Sequence, residues 1–199
     1  KLTILLPVHN EADTIEEVLK EFNLKIMSKM PAKLLIVEDG STDSTKQVLK
    51  RVSRQIPMKA IMRPDRLGYS KAVAKGLLAV DTEYVLFSDS DGQYDPNDFW
   101  KLWIYMKETQ CDIVSGRRVR RADAPHRRLM SLFFQMLVKA LFRIRHVSDI
   151  TSSFRLMKSS AAKQVARKWK YMRESFWTEF TVRAAKQGLA IHEVPVAHR

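Results

Sequence analysis

The sequence predicts an α/β fold, with a mostly parallel sheet flanked by helices in a Rossmann-like arrangement. Short aliphatic or β-branched runs alternate with longer amphipathic stretches, which is the signature of βαβ units. Polar and acidic residues gather immediately after the first, second and fourth of those runs, where open α/β sheets bind their ligands. The 199 residues are 45% hydrophobic, enough for a buried core, and no repeat or low-complexity segment interrupts them.

In chain order the strands are expected at residues 2–8, 34–39, 59–63, 84–89 and 112–116. Helices are expected at 12–29, 44–53, 70–80, 97–108, 128–143, 161–168 and 175–187. After Gly116 the βαβ rhythm gives way to a basic loop, a long apolar helix and the segment SDITSSFRLM. We read residues 1–199 as one domain with two halves, a ligand-binding half over 1–116 and a second half over 117–199. No Pro/Gly/Ser-rich linker lies near 117.

Composition narrows the function classes. Cys111 is the single cysteine, so an internal disulfide is excluded and no Cys/His zinc spacing exists; a reducing compartment fits. The opening run LTILLPV is too short to span a bilayer, and the tract LMSLFFQMLVKALF (129–142) is too short and too interrupted. Net charge is +13 with a pI near 10.0, implying an anionic partner. Residues 117–145 carry eight arginines and one lysine against a single acid, Asp123, so the excess is concentrated there.

Three clusters carry the chemistry. In FSDSDGQYDP, Asp89 and Asp91 follow an apolar strand with alternate side chains aimed alike, so they can share Mg2+ or Mn2+, with Gln93 a further contact. In VEDGSTDST, Glu38 and Asp39 can accept from a nucleobase or ribose, whereas Ser41 and Asp43 read as helix caps. In RPDRLGYSKAVAKG (63–76), Arg66, Gly68 and Lys71 surround a helix start, a place that favours phosphate. Neither P-loop nor GxGxxG spacing is present, which argues against a P-loop NTPase or a dinucleotide enzyme.

These landmarks, in order PVHNE, VEDGSTD, RLGYSKAVAKG, SDSDGQ followed by DP, SGRR and EVPVAHR, resemble those of family 2 glycosyltransferases with the GT-A fold. Within that family the chain is most similar to the polyprenyl-phosphate and dolichyl-phosphate sugar synthases. The resemblance implies an inverting hexosyltransferase using a UDP- or GDP-hexose. It implies nucleotide contacts at Pro7, His9, Glu11 and Asp39, metal and diphosphate contacts at Asp89 and Asp91, and a metal-site role for Gln93. His9 stands where the family usually has Tyr, and Glu38 where it usually has Asp.

The acceptor side follows from the same resemblance. Arg117, taken as catalytic with Asp89 and Asp91, and an arginine near 128 would receive an anionic lipid phosphate, joined by His198 and Arg199. Arg118, Arg127, Arg128 and Ser131 are further candidates from the basic stretch itself. Were the acceptor a sugar hydroxyl, a carboxylate would have to take its proton, and Asp149 or Glu179 are the candidates. Asp149 equally suits holding a nearby arginine.

The helix after the basic loop has its polar positions at 131, 135, 139 and 143, a single narrow stripe on an otherwise apolar cylinder. Such a helix is either sandwiched inside the fold or laid on a membrane; burial is the reading taken. The expected location is the cytoplasmic face of a membrane, peripheral or anchored through a segment beyond the PVAHR terminus. Two other classes fit less well. A haloacid-dehalogenase-type phosphotransferase wants the Asp-x-Asp-Gly segment on the first strand with a Thr at position 93. A basic binding module accounts for the charge but not for three acidic strand ends, and nucleic acid is not the expected partner.

Overall fold

The computed structural model describes residues 1–119, 125–142, 144, 147–170 and 175–199, the side chains of 125–129, 131 and 132 excepted. Its elements run β1 (Leu2–Val8), α1 (Ile15–Phe22, prolonged by a π turn, Asn23–Met27), β2 (Ala32–Glu38), α2 (Thr45–Val52), β3 (Met58–Met62), α3 (Tyr69–Ala79) and β4 (Tyr84–Phe87). A 3-10 turn (Pro96–Asp98) leads into α4 (Phe99–Thr109), followed by β5 (Ile113–Arg118), α5 (Pro125–Phe142), β6 (Arg155–Lys158), α6 (Ser159–Ala166), α7 (Phe176–Lys186) and β7 (Ile191–Val196).

The strands form one sheet in the order β3-β2-β1-β4-β6-β5-β7, parallel except for β6, which runs antiparallel to both neighbours. All seven residues of β1 are buried, as expected for a central strand covered on both faces. Strand alternation divides its side chains cleanly. Leu2, Ile4, Leu6 and Val8 pack with Phe22 of α1, Leu49 of α2 and Leu102 of α4, whereas Leu5 packs on the other face with α3, α6 and α7. Helix α3 lies close because Gly76 faces β1: a Cβ there would stand 2.6 Å from Leu5 Cδ1.

Every expected strand and helix is present within a few residues of its predicted ends. Strands β6 and β7 were not expected. β6 is only four residues long and contains Arg155, a residue that does not read as core, yet it is fully buried. β7 reads IHEVPV, and the proline within it is tolerated because β7 is an edge strand.

Helix α5 corrects the expectation of burial. Met130, Met136 and Leu141 are each about 70% exposed (72%, 68% and 72%), and Phe133 and Leu137 are open to solvent too. Among the described side chains of this helix the buried positions are Gln135 and Val138. The helix therefore turns part of its polar stripe toward the protein and its apolar side outward. Among the described residues, no helix is long and apolar enough to cross a membrane.

The loop after β2 is folded tightly by Gly40, whose φ of +66° is unfavourable for residues with a Cβ. A Cβ at this position would lie 2.4 Å from the backbone nitrogen of Arg66 and from the carbonyl carbon of Asp65. We expect Gly40→Ala to lower the unfolding free energy by about 2 kcal/mol or more, read from the urea midpoint at unchanged slope.

Candidate active site

The carboxyl ends of β1, β2 and β4 converge, so residues from all three polar and acidic strand ends line one crevice. A cavity of about 350 Å3 is lined by Pro7, His9, Glu11, Asp39, Arg66, Asp89 and Asp91, together with Tyr69 and Ser90. A second cavity of about 250 Å3 is lined by Gln93, Arg118, Thr151, Ser153 and His198, and Tyr69 and Asp89 belong to its wall as well. Asp89 therefore borders both.

The first cavity owes its shape to Asp39. This buried carboxylate accepts the amides of Leu67 at 2.9 Å and Gly68 at 2.8 Å, fixing the loop that carries Arg66. Its backbone carbonyl stands 2.9 Å from His9 Nδ1. Asn10, in the left-handed region at φ 54°, accepts the amide of Thr42 at 2.8 Å, so the β1 and β2 loops are laced together. Asp43 accepts from Ala12 N and Thr45 N, and Ser41 Oγ accepts from Asn10 N; neither is the helix N-cap expected of it, since Ser44 holds that place in α2, and both instead tie the β1 and β2 loops together. Glu11 accepts the Thr14 hydroxyl at 2.6 Å, and burial raises its pKa above the ordinary range, with that hydrogen bond opposing.

Asp89 is gripped on both oxygens. Tyr69 Oη donates to Oδ1 at 2.7 Å and Ser153 Oγ donates to Oδ2 at 2.5 Å. Trp177 Nε1 donates to Tyr69 Oη at 2.9 Å, which orients the phenol. Burial pushes the Asp89 pKa up to about 6; the Asp91 charge adds to this, while the Ser153 and Tyr69 hydrogen bonds and the Arg118 charge oppose it. Burial and the neighbouring carboxylate hold the Tyr69 phenol well above its usual value, so it remains a donor. Asp91 is exposed and, among the described residues, accepts a main-chain contact, Gln93 N at 3.0 Å.

These residues fit a hard divalent cation. Both donors are carboxylates, and among the described residues no group of three His, Cys, Asp or Glu forms a closed cage. Remaining ligands would have to come from phosphate oxygens and water, as Mg2+ and Mn2+ sites commonly arrange.

Several expected residues lie elsewhere. Glu38 is fully buried and accepts Ser41 N at 2.5 Å and Arg63 N at 3.4 Å, so its carboxylate closes the β2 turn and does not face the cavity. Gly68 lends its amide to Asp39, which withdraws that donor from a phosphate, and Lys71 is exposed on α3 and lines neither cavity. Arg117 points to the opposite sheet face from Arg118, into a cavity of about 690 Å3 with Tyr105, Ile144 and His192. Arg118 is the one beside Asp89. Asp149 holds it in a bidentate pair, with Nε and Nη2 each 2.8 Å from a carboxylate oxygen, and Thr151 Oγ1 lies 2.7 Å from Nη2.

Glu179 pairs with Arg183 at 2.6 Å and accepts Lys170 N, on the α7 side away from Asp89. Arg199 reaches Glu21 and Asp95 at 3.6 and 3.8 Å, and its amide donates to the Gln93 carbonyl at 2.9 Å. His198 does reach the second cavity, edge-on to the Tyr94 ring. The side chains of Arg127, Arg128 and Ser131, on the first turns of α5, lie outside the described residues. Sequence reasoning missed Tyr69, Ser153 and Trp177. Tyr69 and Ser153 sit inside the motifs RLGYSK and SDITSSFR, but a lone hydroxyl carries no spacing signal.

Residues 3–166 match the model of the family described as Glycosyl transferase family 2. The chain belongs to this family. It is 28% identical over 210 residues to a dolichyl-phosphate beta-glucosyltransferase of Trichomonas vaginalis, covering 98% of this chain and 64% of that protein. It is 26% identical to a dolichol-phosphate mannosyltransferase of Pyrococcus furiosus, covering 77% and 45% respectively. The chain thus spans about half to two thirds of the length of these two relatives. Among solved structures, a mannosyltransferase from Pyrobaculum calidifontis in complex with GDP-Man and Mn2+ superposes with a TM-score of 0.74 at 19% identity, over 99% of this chain and 55% of that one. Glucosyl-3-phosphoglycerate synthase of Mycobacterium tuberculosis, with Mn2+, UDP-glucose and phosphoglyceric acid, gives 0.72 at 18% identity, over 100% and 71%. These neighbours establish the shared GT-A fold.

The raised Asp89 pKa has a stability consequence. A folded pKa of about 6 against the ordinary 3.8 means that, between those values, the unfolded chain has released a proton that the folded chain keeps. Stability therefore falls as pH rises from about 4 to 6 and stays reduced above. Asp89→Asn, which cannot ionise, is expected to stabilise the protein at pH 8 by about 3 kcal/mol, with the gain shrinking below pH 6 and absent below pH 4. Thermal unfolding of both proteins across that range checks it.

Proposed function

We propose that this family 2 glycosyltransferase moves a hexose, with inversion, from a nucleoside diphosphate sugar to the phosphate oxygen of a polyprenyl phosphate of dolichyl type. The observation that carries the reading is that Asp89 borders two cavities of different character. On one side stand Asp39, Glu11, His9 and Arg66, hydrogen-bonding groups suited to a nucleoside and its diphosphate. On the other stand Arg118 and His198, suited to an anionic acceptor. The dolichyl-phosphate sugar transferases among the relatives support the lipid acceptor.

A phosphate monoester acceptor is already anionic near neutral pH, so it attacks without a general base. Its oxygen lone pair forms the new bond to the anomeric carbon while the bond from that carbon to the β-phosphate oxygen breaks, and the electron pair leaves with the diphosphate. Asp149 and Glu179, the two candidate bases, are instead engaged with Arg118 and Arg183. Asp89 and Asp91 would hold Mg2+ or Mn2+, which supplies charge neutralisation of the leaving diphosphate. Arg118, held in place by Asp149, orients the acceptor phosphate and offsets its charge. Asp89, fixed by Tyr69 and Ser153, stays at the boundary where the sugar changes hands.

Two measurements test this. Calorimetry with UDP or GDP and Mn2+ should show metal-dependent binding to the wild type that Asp91→Ala weakens at least tenfold; no metal-dependent binding by the wild type would sink the glycosyltransferase reading. Turnover with a panel of nucleotide sugars and a short polyprenyl phosphate should give a lipid-linked hexose. Arg118→Ala should lower kcat/KM by about a hundredfold or more, and Arg118→Lys by less, since the charge survives but the planar fork does not. Transfer to a soluble sugar in preference to the lipid phosphate would overturn the acceptor assignment.

A further inference from the structure

Helix α5 is amphipathic in the inverted sense. Its protein-facing side carries Gln135, whose Oε1 accepts the amide of Ile150 at 3.3 Å, and Val138, which packs with Val147, Ile150 and Val182. The outward side carries Met130, Phe133, Met136, Leu137 and Leu141, all exposed. At 3.6 residues per turn these five fall on one contiguous arc opposite Gln135. An apolar face of this length on a water-facing helix marks an interaction surface. Beside it, a trough of about 400 Å3 lined by Val138, Phe142 and Val182 opens between α5 and α7, with Lys186 Nζ 4.8 Å above the Phe142 ring.

Charge selects the occupant. Apart from Arg117 and Arg118, which line cavities, the arginine-rich stretch places Arg120 and Arg121 before the helix, Arg127 and Arg128 in its first turns and Arg143 and Arg145 after it. A second copy of the chain would bring two such clusters together on a protein of net charge +13, which Coulomb repulsion opposes. An anionic bilayer satisfies both features, since the apolar arc enters the headgroup boundary while arginines meet lipid phosphates. We propose that α5 lies in the interface of an anionic membrane and is the docking surface of this domain.

The placement has a consequence for the catalytic cleft. Gln135 ties α5 to Ile150, and the same short loop supplies Asp149 and Thr151 to Arg118 and Ser153 to Asp89. Docking through α5 therefore sets the acceptor cavity in a fixed relation to the lipid surface. The proposal rests on the reading of a lipid-borne acceptor only for this consequence, and its test scores membrane binding and nucleotide binding separately.

The experiment is co-sedimentation of the whole chain with vesicles of phosphatidylcholine containing about one part in three phosphatidylglycerol. The wild type should pellet with these vesicles, and less with phosphatidylcholine alone. The double variant Leu137→Glu, Leu141→Glu changes two exposed side chains outside the cleft, and should bind the anionic vesicles at least tenfold more weakly. Its thermal unfolding and its Mn2+-dependent nucleotide binding should match the wild type. Undiminished pelleting of the variant would mean that arginines alone do the binding, and would overturn the proposal. So would failure of the wild type to pellet, equal binding to neutral vesicles, or a dimer in sedimentation equilibrium that the same substitutions dissolve.

Discussion

One carboxylate held between two hydroxyls joins distant stretches of this chain at the edge of the sheet. Asp89 ends the β4 segment, Tyr69 begins α3, and Ser153 precedes β6, so three distant stretches of chain meet at one pair of oxygens. The arrangement is costly, because burial opposes the ionised form and Asp91 adds a like charge. It persists because the hydroxyls donate to it and because the scaffold behind each is rigid. Tyr69 is oriented by Trp177, whose ring packs edge-on against Phe87 at 4.6 Å, directly under the end of β4.

Behind Ser153 stands a buried arginine. Arg155 is fully shielded from solvent, and burial lowers its pKa to about 10, so it stays charged near neutrality. It donates to the carbonyls of Ser152 at 2.7 Å and Ile150 at 3.1 Å, and its guanidinium lies 4.8 Å from the Trp177 ring centroid. The cation thus holds the 150–153 loop from beneath while stacking on the residue that orients Tyr69. The same loop hands Asp149 and Thr151 to Arg118. Groups lining both cavities are therefore positioned by one connected polar network. The antiparallel β6 makes this possible, since it inserts Arg155 between β4 and β5.

Most of the architecture was legible because hydrophobic period is a local property. The aliphatic run of β1, the amphipathic stretches of the helices and the acidic strand ends all announce themselves within ten residues or so of chain. What escaped was short or chemically contrary. β6 has four residues and begins with an arginine, and β7 contains a proline, so neither resembles a core strand. Arg117 and Arg118 show the limit most clearly. They are adjacent and chemically identical, and alternation sends one to each face of the sheet, so only the register of β5 against β6 and β7 distinguishes them.

The sequence by itself determined the α/β class, the strands β1 to β5 and the gathering of Asp39, Asp89, Asp91, Glu11 and His9 at one edge, because each follows from periodicity and from where strands end. Only the tertiary structure decided which charged groups are spent on the fold. Glu38 closes a turn, Asp149 serves Arg118, Glu179 serves Arg183, and Gly68 serves Asp39; a side chain's partner is a fact of three-dimensional neighbours that no spacing encodes. The same holds for α5. Its narrow polar stripe was visible in the residues, but whether that stripe faces solvent or protein depends on what the helix packs against, and here the stripe's Gln135 faces inward.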